Sequence, residues 1–147
     1  MKRILVAIDG SEPSQRAATL AGELTGKYDG ELVAINVMPE GQTPDDEVLA
    51  FARAEGIGDS PSAAWRALGG KVAGDALVLA KAAGAIRVTS EISAGNPADV
   101  ILAAARSRGF DLIVVGRRGR SRLAGLLLGS VSQKVASLAP CTVIMVP

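Results

Sequence analysis

The chain has 147 residues, 48% of them hydrophobic but only 3% aromatic, and a formal net charge of +1. A chain of that length buries a sizeable core as one domain, and its near-neutral charge argues against a broad polyanion-binding surface. A single cysteine, Cys141, and no histidine exclude an intramolecular disulfide framework and a Cys/His metal centre.

Met1, Lys2 and Arg3 lead straight into an apolar run that is too short for a signal-peptide core, and no run approaches the roughly 20 residues of a membrane span. A cytoplasmic protein with no membrane partner is expected. Five short apolar runs, at residues 4–8, 32–37, 88–92, 112–115 and 142–146, alternate with longer segments of helical character. That alternation predicts βαβ units and an open parallel sheet with helices on both faces, for which a composition rich in Ala, Val, Leu and Ile is suited.

After the first run, Ser11 is placed to cap a helix with Pro13 in its first turn, and Ala17, Ala18, Leu20, Ala21 and Leu24 carry it to about Lys27. Between 38 and 61, Pro39, Gly41, Pro44, Gly56, Gly58 and Pro61 interrupt a short helix from Asp46 to Glu55, which predicts an excursion over the sheet. An alanine-rich helix follows over 63–85, with Trp65, Leu68, Val72, Leu77 and Ala80 in register and Gly69, Gly70 and Gly74 weakening its start. Asn96 and Pro97 repeat the cap-and-proline device for a helix that Gly109 ends in the left-handed region. The last helix begins near Gly129 and Ser130, places Val131, Val135 and Leu138 at helical spacing and stops before Pro140. Cys141, ahead of the final apolar run, is expected to pack as a small hydrophobe.

The chemistry concentrates in Gly116-Arg117-Arg118-Gly119, set directly after the run 112–115, and in Gly129-Ser130 at the start of the last helix. Glycines between a strand and a helix leave backbone N–H groups uncovered at the positive end of the helix dipole, which is a phosphate cradle. Neither a Walker loop nor a G-x-G-x-x-G fingerprint has this spacing. In an open parallel sheet, ligands gather beyond the carboxyl ends of the strands where strand order reverses, and Asp9 and Gly116 both stand at such ends. Plainer readings stand beside these: Asp9-Gly10 as a turn, Gly129-Ser130 as an ordinary cap, and Arg117, Arg118, Arg120 and Arg122 as a solvated face rather than cations around a triphosphate. With no histidine, no G-x-S-x-G elbow and no acidic pair at metal-ligand spacing, no catalytic residue is assigned, and binding is favoured over turnover. The scarcity of aromatics leaves no stacking platform for single-stranded nucleic acid.

The pattern G-x2-G-x9-G-S, with Asp9 closing the first strand and Val131 after the serine, resembles the ATP-binding branch of the universal stress protein family over nearly the whole chain. The resemblance implies a Rossmann-like or flavodoxin-like fold with five parallel strands in the order 3-2-1-4-5, which sets Asp9 beside Gly116. It implies ATP as the ligand, with Asp9 by the phosphates directly or through Mg²⁺. Gly116 and Gly119 would let the backbone approach phosphates and ribose, and Gly129, Ser130 and Val131 would present N–H groups and a hydroxyl, with Arg117 and Arg118 nearby. Ala7 and Ile8 would line the adenine pocket and the Val37 backbone would contact adenine, although periodicity alone makes all three core residues. Gly95-Asn96-Pro97-Ala98 resembles the family's G-x-P-A segment, for which a helix cap is a sufficient reading. Family members commonly dimerise by antiparallel pairing of their last strands, so a homodimer through residues 141–147 is expected. The implied function is nucleotide-dependent regulation or interaction under stress. Its rivals are a slow ATPase or nucleotidyl-transfer enzyme of the related superfamily and a nucleotide-free interaction module.

Overall fold

A computed structural model describes residues 1–58, 60–120 and 128–147; Arg122 of the basic cluster lies outside the described residues. The elements run β1 (Arg3–Ala7), α1 (Glu12–Tyr28), β2 (Glu31–Pro39), α2 (Asp46–Ala54), α3 (Pro61–Ala82), β3 (Arg87–Gly95), α4 (Pro97–Arg108), β4 (Leu112–Gly116), α5 (Ser130–Leu138) and β5 (Thr142–Val146). The strands form one parallel sheet in the order β3-β2-β1-β4-β5. This is the α/β architecture expected from the alternation of runs.

Side chains alternate across the sheet. Ile4, Val6, Leu32, Ala34, Leu112 and Val114 meet α1 and α3 on one face, while Leu5, Ala7, Val33, Ile35, Ile113 and Val115 meet α4 and α5 on the other. Every residue of β4 is buried, and each fully buried Ile or Leu contributes about 1.5–3 kcal/mol. Cys141 packs with the α4/α5 face, and burial, followed by the charge of Asp111, pushes its thiol above the usual value. No helix among the described residues is long and apolar enough to cross a membrane.

Local signals set the helix ends. Ser11, Asp45 and Asn96 each accept a hydrogen bond from the backbone N–H three residues on, and α4 ends at Gly109 with φ 62°. Two expectations are corrected. Strands β2 and β3 run past their apolar cores and stay paired from Glu31 with Arg87 to Pro39 with Gly95, because backbone pairing does not need apolar side chains. The 38–61 excursion does not lie over the sheet: Val48 and Ala52 of α2 form a small separate core with Ala64 of α3, and Trp65 Nε1 donates to the Gln42 carbonyl at 3.1 Å.

Helix α3 also runs unbroken through Gly69, Gly70 and Gly74. A Cβ on Gly69 would stand 2.8 Å from Asn36 Oδ1, so that glycine lets the helix lie close on β2. Helix α1 uses the same device against α3. A Cβ on Gly22 would lie 2.5 Å from the Ala80 carbonyl oxygen, and one on Gly26 would lie 2.5 Å from that of Gly84.

Candidate functional site

Strand β1 ends at Ala7, opposite Ile35 and Val115, while β2 runs on to Pro39 and β4 to Gly116, so both neighbours pass its end. Ile8 N donates to Ile35 O at 2.9 Å, the last rung of the β1–β2 ladder. At the next position Asn36, only 8% exposed, donates from Nδ2 to Ile8 O at 2.9 Å, where a regular ladder would carry the Val37 N–H. Backbone groups two residues apart on a strand point to the same side, so the Val37 N–H and C=O face the space past the end of β1. Ala7 and Ile8 are buried at the end of β1 on opposite faces of the sheet, and the Val37 side chain packs half-buried on the α4/α5 face.

Asp9 follows β1 and is held by three donors. Ser11 N and Ser11 Oγ donate to Oδ1 at 2.9 and 2.5 Å, and Arg120 N donates to Oδ2 at 2.9 Å. The next residue, Gly10, has φ 85°, and a Cβ there would stand 2.9 Å from Val72 Cγ2. The Asp-Gly turn is therefore present, and its aspartate also pins the glycine loop of the β4 side.

On that side each glycine has its own reason. A Cβ on Gly116 would stand 3.0 Å from both Pro13 Cβ and Ser14 N, so this glycine admits the start of α1. One on Gly119 would stand 2.5 Å from Asp9 Oδ2, so this glycine admits the carboxylate. Gly129 differs: its φ of −73° suits any residue, and a Cβ would meet no described atom closer than 3.4 Å. Nothing in the described fold demands a glycine there.

Arg117 carries the loop into the helix. Its N–H donates to Val146 O at 2.6 Å, and its carbonyl accepts from Gly129 N at 2.8 Å and from Ser132 Oγ at 2.7 Å. The arginine side chains of Arg117 and Arg118 are exposed, in keeping with the solvated reading. Among the described residues no side chain caps the first N–H groups of helix α5, where Ser130 is exposed and Val131 half-buried. The structure thus brings Asp9, Gly119 and Arg120 into direct contact, and Arg117 with Gly129. Val37 stands on β2, on the other side of β1 from the loop. A separate cavity of about 200 Å³ opens on the α1/α3 side and touches only Ile8 and Asp9 among the expected site residues, with Lys71, Asp75, Glu47 and Arg120 at its charged margin.

Sequence reasoning missed Asn36, Ser132 and the particular part of Arg120. An asparagine inside the apolar run 32–37 was a usable signal, since a polar side chain there must find a partner. Ser132, 2% exposed, had none beyond its place two residues after the expected cap.

A parallel sheet whose strand order reverses beside its central strand, with the glycine loop at that point, defines an α/β protein of the kind that holds ligands at strand ends. The Universal stress protein family model matches residues 1–147. A universal stress protein of Thermus aquaticus, described from the QAH/OAS sulfhydrylase 3' region, is 36% identical, covering 99% of this chain and 98% of the relative. Among solved structures, the universal stress protein UspA of Lactobacillus plantarum superposes with a TM-score of 0.75 at 26% identity, covering 99% of this chain and 97% of that one. A universal stress protein in complex with cAMP superposes with a TM-score of 0.71 at 30% identity, with the same two coverages. The chain belongs to the universal stress protein family.

Proposed function

We propose that this chain binds ATP past the end of β1, between β2 and the glycine loop, and that it acts as a cytoplasmic homodimer in nucleotide-dependent regulation under stress. The observation that carries the reading is the outward-facing backbone edge of Val37, with an unneeded glycine, Gly129, on the β4 side. A backbone N–H and C=O on one edge match the acceptor and amino group that adenine presents side by side. Gly129 leaves room for phosphate at a helix N-terminus whose dipole and N–H groups favour an anion. The related structure with cAMP supports an adenine nucleotide as the ligand class.

In this arrangement Ala7 and Ile8 line the adenine pocket, while Ser130 and Val131 offer N–H groups and a hydroxyl to the phosphates. Arg117 and Arg118 supply mobile positive charge at the rim. An ionised carboxylate offers about four lone-pair sites, and Ser11 N, Ser11 Oγ and the Arg120 N–H take three of them, so Asp9 keeps one on Oδ2 through which it would meet Mg²⁺ carried by the phosphates. Its duty here is to hold the loop, and an aspartate engaged in that way is not poised as a base, so binding is favoured over hydrolysis.

The reading is tested by mass spectrometry of the small molecule released from freshly purified protein, together with calorimetric titration of ATP with and without a chelator. One ATP per chain is expected in both titrations. A folded protein that binds no adenine nucleotide overturns the assignment.

A further inference from the structure

Arg120 differs from the other described arginines of the glycine loop. Its side chain is only 24% exposed, and Nη2 lies 3.7 Å from Asp45 Oδ2 and 3.7 Å from Glu47 Oε2. These carboxylates open α2: Asp45 is the N-cap, its Oδ1 accepting from Val48 N at 2.9 Å, and Glu47 lies in the first turn. The main chain of the same residue donates to Asp9. One arginine thus ties the end of β1, the glycine loop and the start of α2 together.

The tie is built to be exchanged. Asp45 and Glu47 are 62% and 89% exposed, and ion pairs as open and as long as these are weak and salt-screened. A polyphosphate offers several charges and bidentate oxygens to a guanidinium, a better partner than either carboxylate. Helix α2 otherwise rests on a small core, Val48 and Ala52 against Ala64 with Leu49, Trp65 and Leu68 packed on it, set apart from the two cores of the sheet. An element on so small a core opens at lower free energy than the sheet beneath it.

We propose that Arg120 is a further phosphate-binding residue of the site, and that its guanidinium passes from Asp45 and Glu47 to the terminal phosphates of a bound nucleoside triphosphate, releasing the start of α2. The inference rests on the nucleotide reading above. It turns residues 42–58 into the part of the molecule whose exposure reports the ligand. By linkage, carboxylates that compete for Arg120 weaken triphosphate binding by the factor with which the triphosphate loosens α2.

The test uses hydrogen exchange over residues 42–58 of the full chain, with ATP and with AMP, which lacks the terminal phosphates. It compares the wild type, Arg120→Gln and the double variant Asp45→Asn/Glu47→Gln, in which asparagine keeps the cap. Without ligand, Arg120→Gln is expected to exchange faster in α2 than the wild type. ATP should speed α2 exchange in the wild type and AMP should not, and the double variant should bind ATP about fivefold more tightly or better, with AMP affinity unchanged. If the wild type binds ATP yet α2 exchange slows or stays the same, or if the double variant binds ATP no better, the exchange of partners is wrong while the nucleotide reading survives. Unchanged ligand-free exchange in Arg120→Gln removes the tie itself. If the wild type binds neither nucleotide, the nucleotide reading fails and the proposed release fails with it.

Discussion

Gly119 and Gly129 occupy similar places in a motif and do different work. A Cβ on Gly119 collides with a carboxylate fixed by Ser11, so Gly119→Val must break the Arg120 N–H bond to Asp9 or move the loop. A lost hydrogen bond to a charged group costs about 1.5–3 kcal/mol, and a lower melting temperature together with weak ATP binding is expected. Gly129→Val faces only ordinary contacts at 3.4 Å and beyond. Its stability should fall by no more than about 1 kcal/mol, the cost of a branched apolar residue at an N-cap, while ATP affinity falls at least tenfold. Thermal melts beside calorimetric titration separate the two. A Gly129→Val protein that melts and binds like the wild type would remove the cradle from the α5 N-terminus.

Among the elements, α1 and α3 meet along a seam of small residues that brings backbone within reach of backbone. Gly22→Val would drive a side chain into the Ala80 carbonyl and is expected to cost at least about 1–3 kcal/mol in urea denaturation, since neither helix can recede without leaving the sheet. Gly74, in α3, faces open space, and Gly74→Ala should stabilise by about 0.8–1 kcal/mol through helix propensity alone. Equal effects at the two positions would contradict the packed seam. At the amino ends of the strands Asp111 works as a similar clamp. It accepts from Lys2 N at 2.8 Å and from Arg3 N at 2.9 Å, and these bonds hold its carboxyl below the ordinary value. The folded value being the lower one, that clamp contributes in full above the ordinary carboxylate range and is lost as pH falls below that range through the lowered folded value.

For the whole molecule, the open question of the fold is what meets the edge strand β5. Ile144 and Val146 turn toward the α1/α3 core, and Val146 is 9% exposed, so a lysine at either place would injure the fold before it reached a partner. The outward backbone belongs to Met145, because the Val146 carbonyl already faces β4 and accepts from Arg117 N. We expect Met145→Pro to leave the β4–β5 pairing in place and to prevent a second chain from adding to the edge. Sedimentation should show a dimeric wild type and a monomeric variant. A wild type that is monomeric at micromolar concentration, or a variant that remains dimeric, would exclude β5 as the seam.

Local chemistry made much of this protein legible from its sequence. The five strands follow from apolar runs, the helix starts from Ser11, Asn96 and Pro97, and the stop at Gly109 from its backbone freedom, because each depends on residues a few positions apart. The glycine loop was visible for the same reason: its spacing lies within one strand-loop-helix unit. Only the tertiary structure decided which glycines serve packing and which leave space. It also decided that Asn36 replaces a rung above β1, that Arg120 joins α2 to Asp9, and that Val146 faces inward. Those facts rest on atoms brought within a few ångströms by a sheet whose order departs from that of the chain, and no local pattern of residues encodes that distance.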